Sequence, residues 1–151
     1  MELQIKEIKA KQTYDLRHPL LRQGQPYESC QLENDNHEET IHLGAYVSNR
    51  LVGILSVMPN KCPAYPNQNA AQLRAMAVHP DFQRKKIATQ LIQSILLRLK
   101  GKKSIELVWL NARIKANALY LGNGFEPLNS PFEIKSIGMH QSFIKWINDE
   151  S

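Results

Sequence analysis

A short basic segment separates an apolar run that ends at Val78 from an amphipathic segment that begins at Ile87; its cations are Arg84, Lys85 and Lys86. The apolar run predicts a strand and the amphipathic segment predicts a helix, so the cations precede a helix N-terminus. The first amide groups of a helix have no partner within it, and the helix dipole adds partial positive charge. This arrangement suits a phosphate or diphosphate group. Three solvated cations before an ordinary helix fit the same spacing, and both interpretations stay open here.

Positive charge is concentrated in the second half of the chain. The 151 residues carry a formal net charge of +5, and residues 81–115 hold nine basic and two acidic residues. This distribution indicates a phosphorylated partner, either nucleic acid or a phosphate-bearing cofactor, or else a solvated surface rich in lysine. Residues 28–39 hold five acidic residues and no Lys or Arg. That stretch is either a solvated loop or a patch that attracts a cationic substrate.

Length and composition predict one soluble domain over residues 1–151. Apolar residues make up 42% and charged residues 22%, an ordinary balance for a globular protein. No apolar run approaches the roughly 20 residues of a membrane-spanning helix, and the N-terminus lacks the apolar core of a secretion signal. Cys30 and Cys62 follow no metal or redox spacing, which favours two reduced thiols. We therefore expect a cytoplasmic protein with no metal site and no membrane partner.

Apolar periodicity predicts an alternation of strands and helices. Strands are expected at residues 3–8, 40–47, 51–57, 72–78 and 104–110, from Phe125 onwards and over 138–147; helices are expected at 13–22, 87–100 and 114–121. Thr13 is the expected cap of the first helix, and residues 48–50 predict a hairpin between two strands. Residues 23–38 lack periodicity and predict a loop. This order describes one mixed α/β sheet with helices packed against it.

Two sequence blocks carry a family resemblance. The strand segment LRAMAVHP at 73–80 is followed by QRKKIA at 83–88. Together they resemble the acetyl-coenzyme A signature of the GNAT superfamily of N-acetyltransferases, whose pattern after such a strand is Q/R-x-x-G-x-G/A. Gln83 and Ala88 match this pattern, and Lys86 stands where the family usually has glycine. Glycine there lets the backbone approach a diphosphate without a Cβ in the way.

The second block, VWLNARIKANALYLGNGF at 108–125, is similar to the later N-A-R…A…F/L-Y…G-F segment of the same family. The gap between the blocks, one helix and one strand, is also as in the family. The resemblance covers Leu51 to about Phe125, and within the superfamily residues 16–26 look like a poorly characterised bacterial branch. It implies a predominantly antiparallel sheet of about six to seven strands, with splayed central strands and helices on both faces.

By resemblance, the protein is an acyltransferase that moves an acetyl group from acetyl-coenzyme A directly to a primary amine of a small molecule or peptide. The backbone of Met76 and Val78 is implied to bind the pantetheine arm in a gap between the fourth and fifth strands, and Tyr120 to act as the general acid for the leaving thiolate. Asn111 would bind the arm from the other side, although it equally suits a helix N-cap. The implied coenzyme-binding set is Met76, Ala77, Val78, Gln83, Arg84, Lys85, Lys86, Ile87, Ala88, Thr89 and Asn111.

The acceptor is less constrained. Arg17, Arg74 and His140 are the candidate substrate-binding residues, and the arginines, with Arg22, suit a substrate carboxylate. The acidic stretch at 28–39 instead suits a cationic amine or peptide. Candidate general bases are Glu28, Glu38, Glu39, His42 and His140.

Two other functions are compatible with the sequence. One is a non-catalytic acyl-coenzyme A sensor that keeps the phosphate-binding turn without efficient chemistry. The other is a basic nucleic-acid-binding domain, which the shortage of aromatic residues disfavours, since the basic segment holds only Phe82 and Trp109. The resemblance also allows a homodimer, because superfamily members are often dimers.

Overall fold

The computed structural model describes residues 2–102, 104–135 and 137–147. The strands are β1 (Leu3–Ile8), β2 (Ile41–Val47), β3 (Arg50–Pro59), β4 (Ala70–Val78), β5 (Leu107–Arg113), β6 (Glu126–Pro127), β7 (Phe132–Ile134) and β8 (Gly138–Trp146). The helices are α1 (Ala10–Leu21), α2 (Ile87–Lys100) and α3 (Asn117–Gly122), and short 3-10 helices lie at Tyr27–Cys30, Pro80–Phe82 and Ile114–Ala116. Strand pairing is mostly antiparallel, with a parallel pair formed by β4 and β5. The predicted mixed α/β fold is confirmed.

The chain divides into two compact units, Met1–Pro59 with Leu73–Leu97 and Asn60–Gln72 with Arg98–Ser151. In the first unit the strand order is β1-β2-β3-β4. In the second, the first residues of β4 pair with β5, which is followed by β8 and β6, and β7 also pairs with β8. No helix among the described residues has the length and apolar character needed to cross a lipid bilayer.

In the first unit, α1 and α2 cover opposite faces of the sheet. A Cβ built on Gly53 of β3 would lie 3.2 Å from Ile87 Cγ2 and 3.3 Å from Leu91 Cδ1, so Gly53 faces α2. The next residue, Ile54, packs in a buried cluster with Leu16 of α1. Because successive side chains of a strand point to opposite faces, the prediction of helices on both faces is confirmed here.

The predicted hairpin between β2 and β3 is also confirmed. Ser48 and Asn49 have φ angles of 49° and 66°, so both central residues of the turn are left-handed. Turns of this kind twist in the sense that antiparallel strands require. Val47 and Arg50 form the last pair before the turn.

Helix α1 begins three residues earlier than predicted, and Thr13 is not its cap. Gln12 Oε1 accepts a hydrogen bond from the Lys9 backbone amide at 2.8 Å and closes the first turn. Thr13 is buried inside the helix, where its hydroxyl donates to the Ala10 carbonyl at 2.6 Å. The prediction was wrong because a threonine hydroxyl can bond back within a helix as readily as it can cap one.

In the second unit, β5 lies three residues later than predicted. Its ladder with β8 runs from the pair Leu107–Trp146 to the pair Arg113–His140. Asn111 therefore lies inside the strand instead of at its end. The buried cluster of this unit contains Leu107 and Trp109 from β5 and Ile144 from β8, joined by Cys62 and Ala70. The short strand β7 has no counterpart among the predicted elements.

Candidate active site

Strand β4 bends at Ala75, within the first unit. Ala75 has a φ of 58°, a left-handed conformation that is uncommon for a residue with a Cβ. Burial changes around this residue: the first four residues of β4 are buried, Arg74 is exposed, Ala75 and Met76 are both half-buried, and Ala77 is buried again. Left-handed non-glycine residues are costly and cluster at functional sites. The bend marks this part of β4 as a candidate site.

The parallel ladder of β4 with β5 is short. It consists of the pairs Ala70–Leu107, Ala71–Val108 and Gln72–Trp109, all within the second unit. Strand β8 pairs with β5 over its whole length, from Leu107 to Arg113. The pairing of β5 with β4 is confined to the first three residues of each strand.

The turn before α2 adopts backbone angles that glycine favours, although it contains no glycine. Arg84 and Lys86 have φ angles of 64° and 63°, so both are left-handed. Lys86 thus adopts the conformation that the family's usual glycine favours, and its side chain is exposed. Gln83 Nε2 donates to the Val78 carbonyl at 3.1 Å and ties the turn to the end of β4. Left-handed residues within a tight turn can aim successive amides into an anion-binding concavity.

The N-terminus of α2 completes this turn. Gln90 donates to the Lys86 carbonyl at 3.1 Å, so the amides of Ile87, Ala88 and Thr89 precede the first i→i−4 bond of the helix. The first turn of α2 contains no acidic residue. Three cations immediately before it add to the helix dipole. The predicted coenzyme-binding residues from Gln83 to Thr89 thus lie in one turn whose free amides and positive charge suit an anion.

Asn111 and Tyr120 both lie in the second unit. Asn111 is exposed on β5, and its Oδ1 accepts a hydrogen bond from Ser142 Oγ of β8 at 2.6 Å. It caps no helix: the residue before the 3-10 segment is Arg113, and the residue before α3 is Ala116. The interpretation of Asn111 as an N-cap is therefore wrong.

Tyr120 is packed among aromatic rings on α3. Its ring makes an edge-to-face contact with Phe125 at 5.9 Å and a tilted contact with Phe143 at 5.8 Å between centroids. Only 5% of its surface is exposed. Burial raises the pKa of Tyr120 to about 12, because the phenolate is poorly solvated there. The hydroxyl therefore keeps its proton throughout the physiological pH range.

Arg17 is part of a buried ion pair, which corrects its prediction as a substrate-binding residue. Its Nη1 and Nη2 donate to the two carboxylate oxygens of Asp35 at 2.7 and 2.9 Å. Nη2 also donates to Ser56 Oγ at 3.1 Å, and Nη1 to the Cys30 carbonyl at 2.9 Å. The carboxylate that Arg17 was expected to recognise is supplied by the chain itself. Neither Asp35 nor Ser56 has a local sequence signal for this contact, because both are distant from Arg17 in the chain.

His42, a candidate base, belongs to the same network. Its Nε2 lies 2.9 Å from the Asp35 backbone carbonyl, an acceptor, so Nε2 carries the proton, and Nδ1 lies 2.6 Å from Ser56 Oγ. Burial is the main cause of a pKa of His42 below its ordinary value, and the charge of Arg17 lowers it further. The neutral ring is thus held in place by its neighbours on both sides.

The remaining candidates are dispersed. Arg74 is exposed on β4. His140 is buried on β8, with Nδ1 2.9 Å from the Gly138 carbonyl and its ring beside Phe132. Glu28, Glu38 and Glu39 are exposed in the segment between α1 and β2. None of these positions by itself identifies the general base.

A left-handed residue in β4, a tight basic turn and an open helix N-terminus together suit a protein that binds a phosphate-bearing ligand. A family model described as the acetyltransferase (GNAT) domain matches residues 38–127. The chain is 33% identical over 138 residues to the uncharacterized N-acetyltransferase YitI of Bacillus subtilis (strain 168), covering 91% of this chain and 92% of the relative. The chain therefore belongs to the GNAT family; it is an acetyltransferase, and acetyl-coenzyme A is its co-substrate.

Solved structures share the fold at low sequence identity. An aminoglycoside 6′-N-acetyltransferase complexed with coenzyme A superposes with a TM-score of 0.77 at 13% identity, covering 98% of this chain and 99% of that one. Arabidopsis thaliana NAA60 in complex with acetyl-CoA superposes with a TM-score of 0.74 at 13% identity, covering 97% and 99%. Escherichia coli ElaA gives 0.76 at 15% identity, covering 95% and 99%.

Proposed function

We propose that this protein transfers the acetyl group of acetyl-coenzyme A to a primary amine of a small molecule or peptide by direct attack. The observation that carries the proposal is the turn at 83–86, where Arg84 and Lys86 are left-handed immediately before the free amides of α2. Such a turn offers hydrogen-bond donors and positive charge to a diphosphate. Gln83 to Thr89 are proposed to bind that part of the coenzyme.

The proposed role of β4 is to bind the pantetheine arm through its backbone at Met76 and Val78. A backbone amide there would also polarise the thioester carbonyl, the atom on which negative charge develops during attack. Asn111 is proposed to donate from its amide nitrogen, because its oxygen already accepts from Ser142. Ala77 contributes by anchoring this stretch, since it packs against Leu16 and Ile54.

Tyr120, the predicted general acid, is proposed to assist the departure of the sulfur. The amine nitrogen attacks the carbonyl carbon, the C–N bond forms, the C–S bond breaks, and the sulfur leaves as a thiolate. A thiol has an ordinary pKa of about 8.5, so complete transfer from a phenol of pKa about 12 is uphill by about 5 kcal/mol. Tyr120 would therefore act by donating a hydrogen bond as charge builds on the sulfur. Overall, the proton lost by the attacking amine ends on the thiol, by way of solvent.

We further propose that residues 1–151 act as one acyltransferase domain in the cytoplasm. The two units share continuous elements, because β4 contributes residues to both and α2 crosses the boundary between Leu97 and Arg98. The cytoplasmic location and the possibility of a homodimer rest on the sequence.

The test combines coenzyme binding with turnover. We expect acetyl-coenzyme A to raise the melting temperature, and release of the free thiol to accelerate when an amine acceptor is added. Tyr120→Phe should lower the turnover number by about 10- to 100-fold, the value of one hydrogen bond to a charged group, while retaining the thermal shift, and Tyr65→Phe, in an exposed ring, is the matched control.

Three results would count against the proposal. Thermal stabilisation without turnover on any amine would favour a non-catalytic sensor. A salt-dependent complex with DNA or RNA, with no response to the coenzyme, would favour a nucleic-acid-binding domain. No response of any kind at millimolar acetyl-coenzyme A would remove the basis of the assignment.

A further inference from the structure

A small cavity in the first unit lies against the bend of β4. Its volume is about 200 Å³, and Arg17, Arg22 and Arg74 line it together with Ser29, Leu32 and Ala75. Pockets that hold drug-sized ligands span roughly 300–1,000 Å³, so this cavity suits a small group. It lies where α1, the segment after α1 and β4 meet.

The wall of this cavity carries a net positive charge. No acidic residue is among those that line it. The ion pair with Asp35 neutralises Arg17, but Arg22 and Arg74 remain as two net positive charges at its wall. Arg22 Nε donates to Ser29 Oγ at 3.2 Å, which orients the guanidinium group.

Arg17 forms part of the cavity wall but is not free to bind a ligand. Its side chain is 2% exposed, and both of its terminal nitrogens are bonded within the chain. The guanidinium groups that can meet a ligand are therefore those of Arg22 and Arg74, which are exposed. A carboxylate suits them, because the planar guanidinium fork matches its geometry.

We propose that this cavity binds the carboxylate of the acceptor, and that the substrate class is a small amine with a carboxylate group, such as a free amino acid. This inference rests on the proposed acetyl transfer at β4. Arg74 and Ala75 directly precede Met76, and two residues of extended chain span at most about 7 Å. One small molecule can therefore place its carboxylate in the cavity and its amine near the thioester.

The experiment compares acceptors that differ only in the anionic group. Wild type is assayed with β-alanine and its amide, with lysine and cadaverine, and with phosphoethanolamine and ethanolamine. We expect the carboxylate-bearing acceptor of the first two pairs to have at least a tenfold higher kcat/KM. Arg22→Gln and Arg74→Gln should each reduce that preference about tenfold through KM, as expected for loss of a hydrogen bond to a charged group. Lys135→Gln, an exposed cation in the second unit, is the control and should retain the preference.

Each outcome is informative. Comparing the acid-to-amide ratio between wild type and variants cancels the different basicities of the amines. Any one of three results would overturn the inference. The wild type could use acid and amide equally, Arg22→Gln and Arg74→Gln could leave the acid-to-amide ratio unchanged, or the enzyme could prefer phosphoethanolamine to either amino acid. The thermal shift with acetyl-coenzyme A separates the two claims, because its absence in wild type contradicts the proposed function itself. The melting temperature without ligand confirms that each variant folds.

Discussion

Replacing Asp35 with asparagine tests the buried ion pair that joins α1 to the segment between α1 and β2. The Asp35 carboxylate accepts from both terminal nitrogens of Arg17, from the Leu32 amide at 2.9 Å and from the Tyr14 hydroxyl at 3.3 Å. Burial alone raises the pKa of Asp35, but the Arg17 and Leu32 hydrogen bonds and the Arg17 charge outweigh it, and the pKa lies below its ordinary value. Asp35→Asn leaves a buried guanidinium without a counterion.

The expected loss is about 3–5 kcal/mol of unfolding free energy, the usual cost of removing one partner of a buried pair. At about 2–4 °C per kcal/mol for a chain of this size, the melting temperature should fall by about 6–20 °C. Urea denaturation followed by circular dichroism measures the free energy directly. Asp15→Asn is the control: Asp15 is exposed and accepts one hydrogen bond from Tyr27, so its loss should cost about 0.5 kcal/mol or less. A loss of under about 1 kcal/mol for Asp35→Asn would show that the pair is not stabilising in the way described.

Other expectations follow from the same structure. The unfolding free energy should be flat between about pH 6.5 and 8 and fall below pH 6.5, by up to about 1.4 kcal/mol per pH unit, because unfolded His42 then binds a proton that the buried ring resists; His42→Asn should flatten this slope in urea titrations at several pH values. Lys86→Gly should change the unfolding free energy by less than about 0.5 kcal/mol, because relief of the left-handed φ is offset by the greater entropy of the unfolded chain. Lys86→Val, which places a β-branched residue at the same φ, should cost about 1 kcal/mol or more. Chemical denaturation of both variants measures the two values. Gly53→Ala should cost about 1–3 kcal/mol and weaken the acetyl-coenzyme A thermal shift, because its Cβ would press on Ile87 at the start of α2; an unchanged shift would contradict this link.

The parts of the fold that could be predicted are those with local signals. The hairpin follows from Ser48-Asn49, which tolerates left-handed angles, and α2 follows from a regular apolar stripe that begins at Ile87. The basic turn before α2 was recognisable because chain order alone places cations at a helix N-terminus. The left-handed backbone of this turn at Lys86 could not be predicted, since lysine has no preference for that conformation.

The parts that could not be predicted depend on contacts between distant segments. The register of β5 is set by β8, so the strand extends past Asn111 although the apolar run stops earlier. The bend at Ala75 has no signal, because alanine is typical of a regular strand or helix. Arg17 was expected to face a substrate because a lone arginine on a helix does not reveal that a carboxylate 18 positions later lies opposite.

The same ion pair bears on the conflict between the two acceptor classes that the sequence allows. The acidic stretch at 28–39 favoured a cationic substrate, but Asp35, its buried member, already neutralises Arg17. The remaining acids of that stretch are exposed, and none of them lines the cavity against β4. A polycationic acceptor would therefore place its positive charge next to Arg22 and Arg74, which repel it. The carboxylate of an amino acid would instead be attracted by these two arginines. If a polyamine such as spermidine were nevertheless acetylated at least tenfold better than amino acids, the amine would have to approach from another side, and the larger cavity lined by Asp35, His37 and His42 would be the place to look.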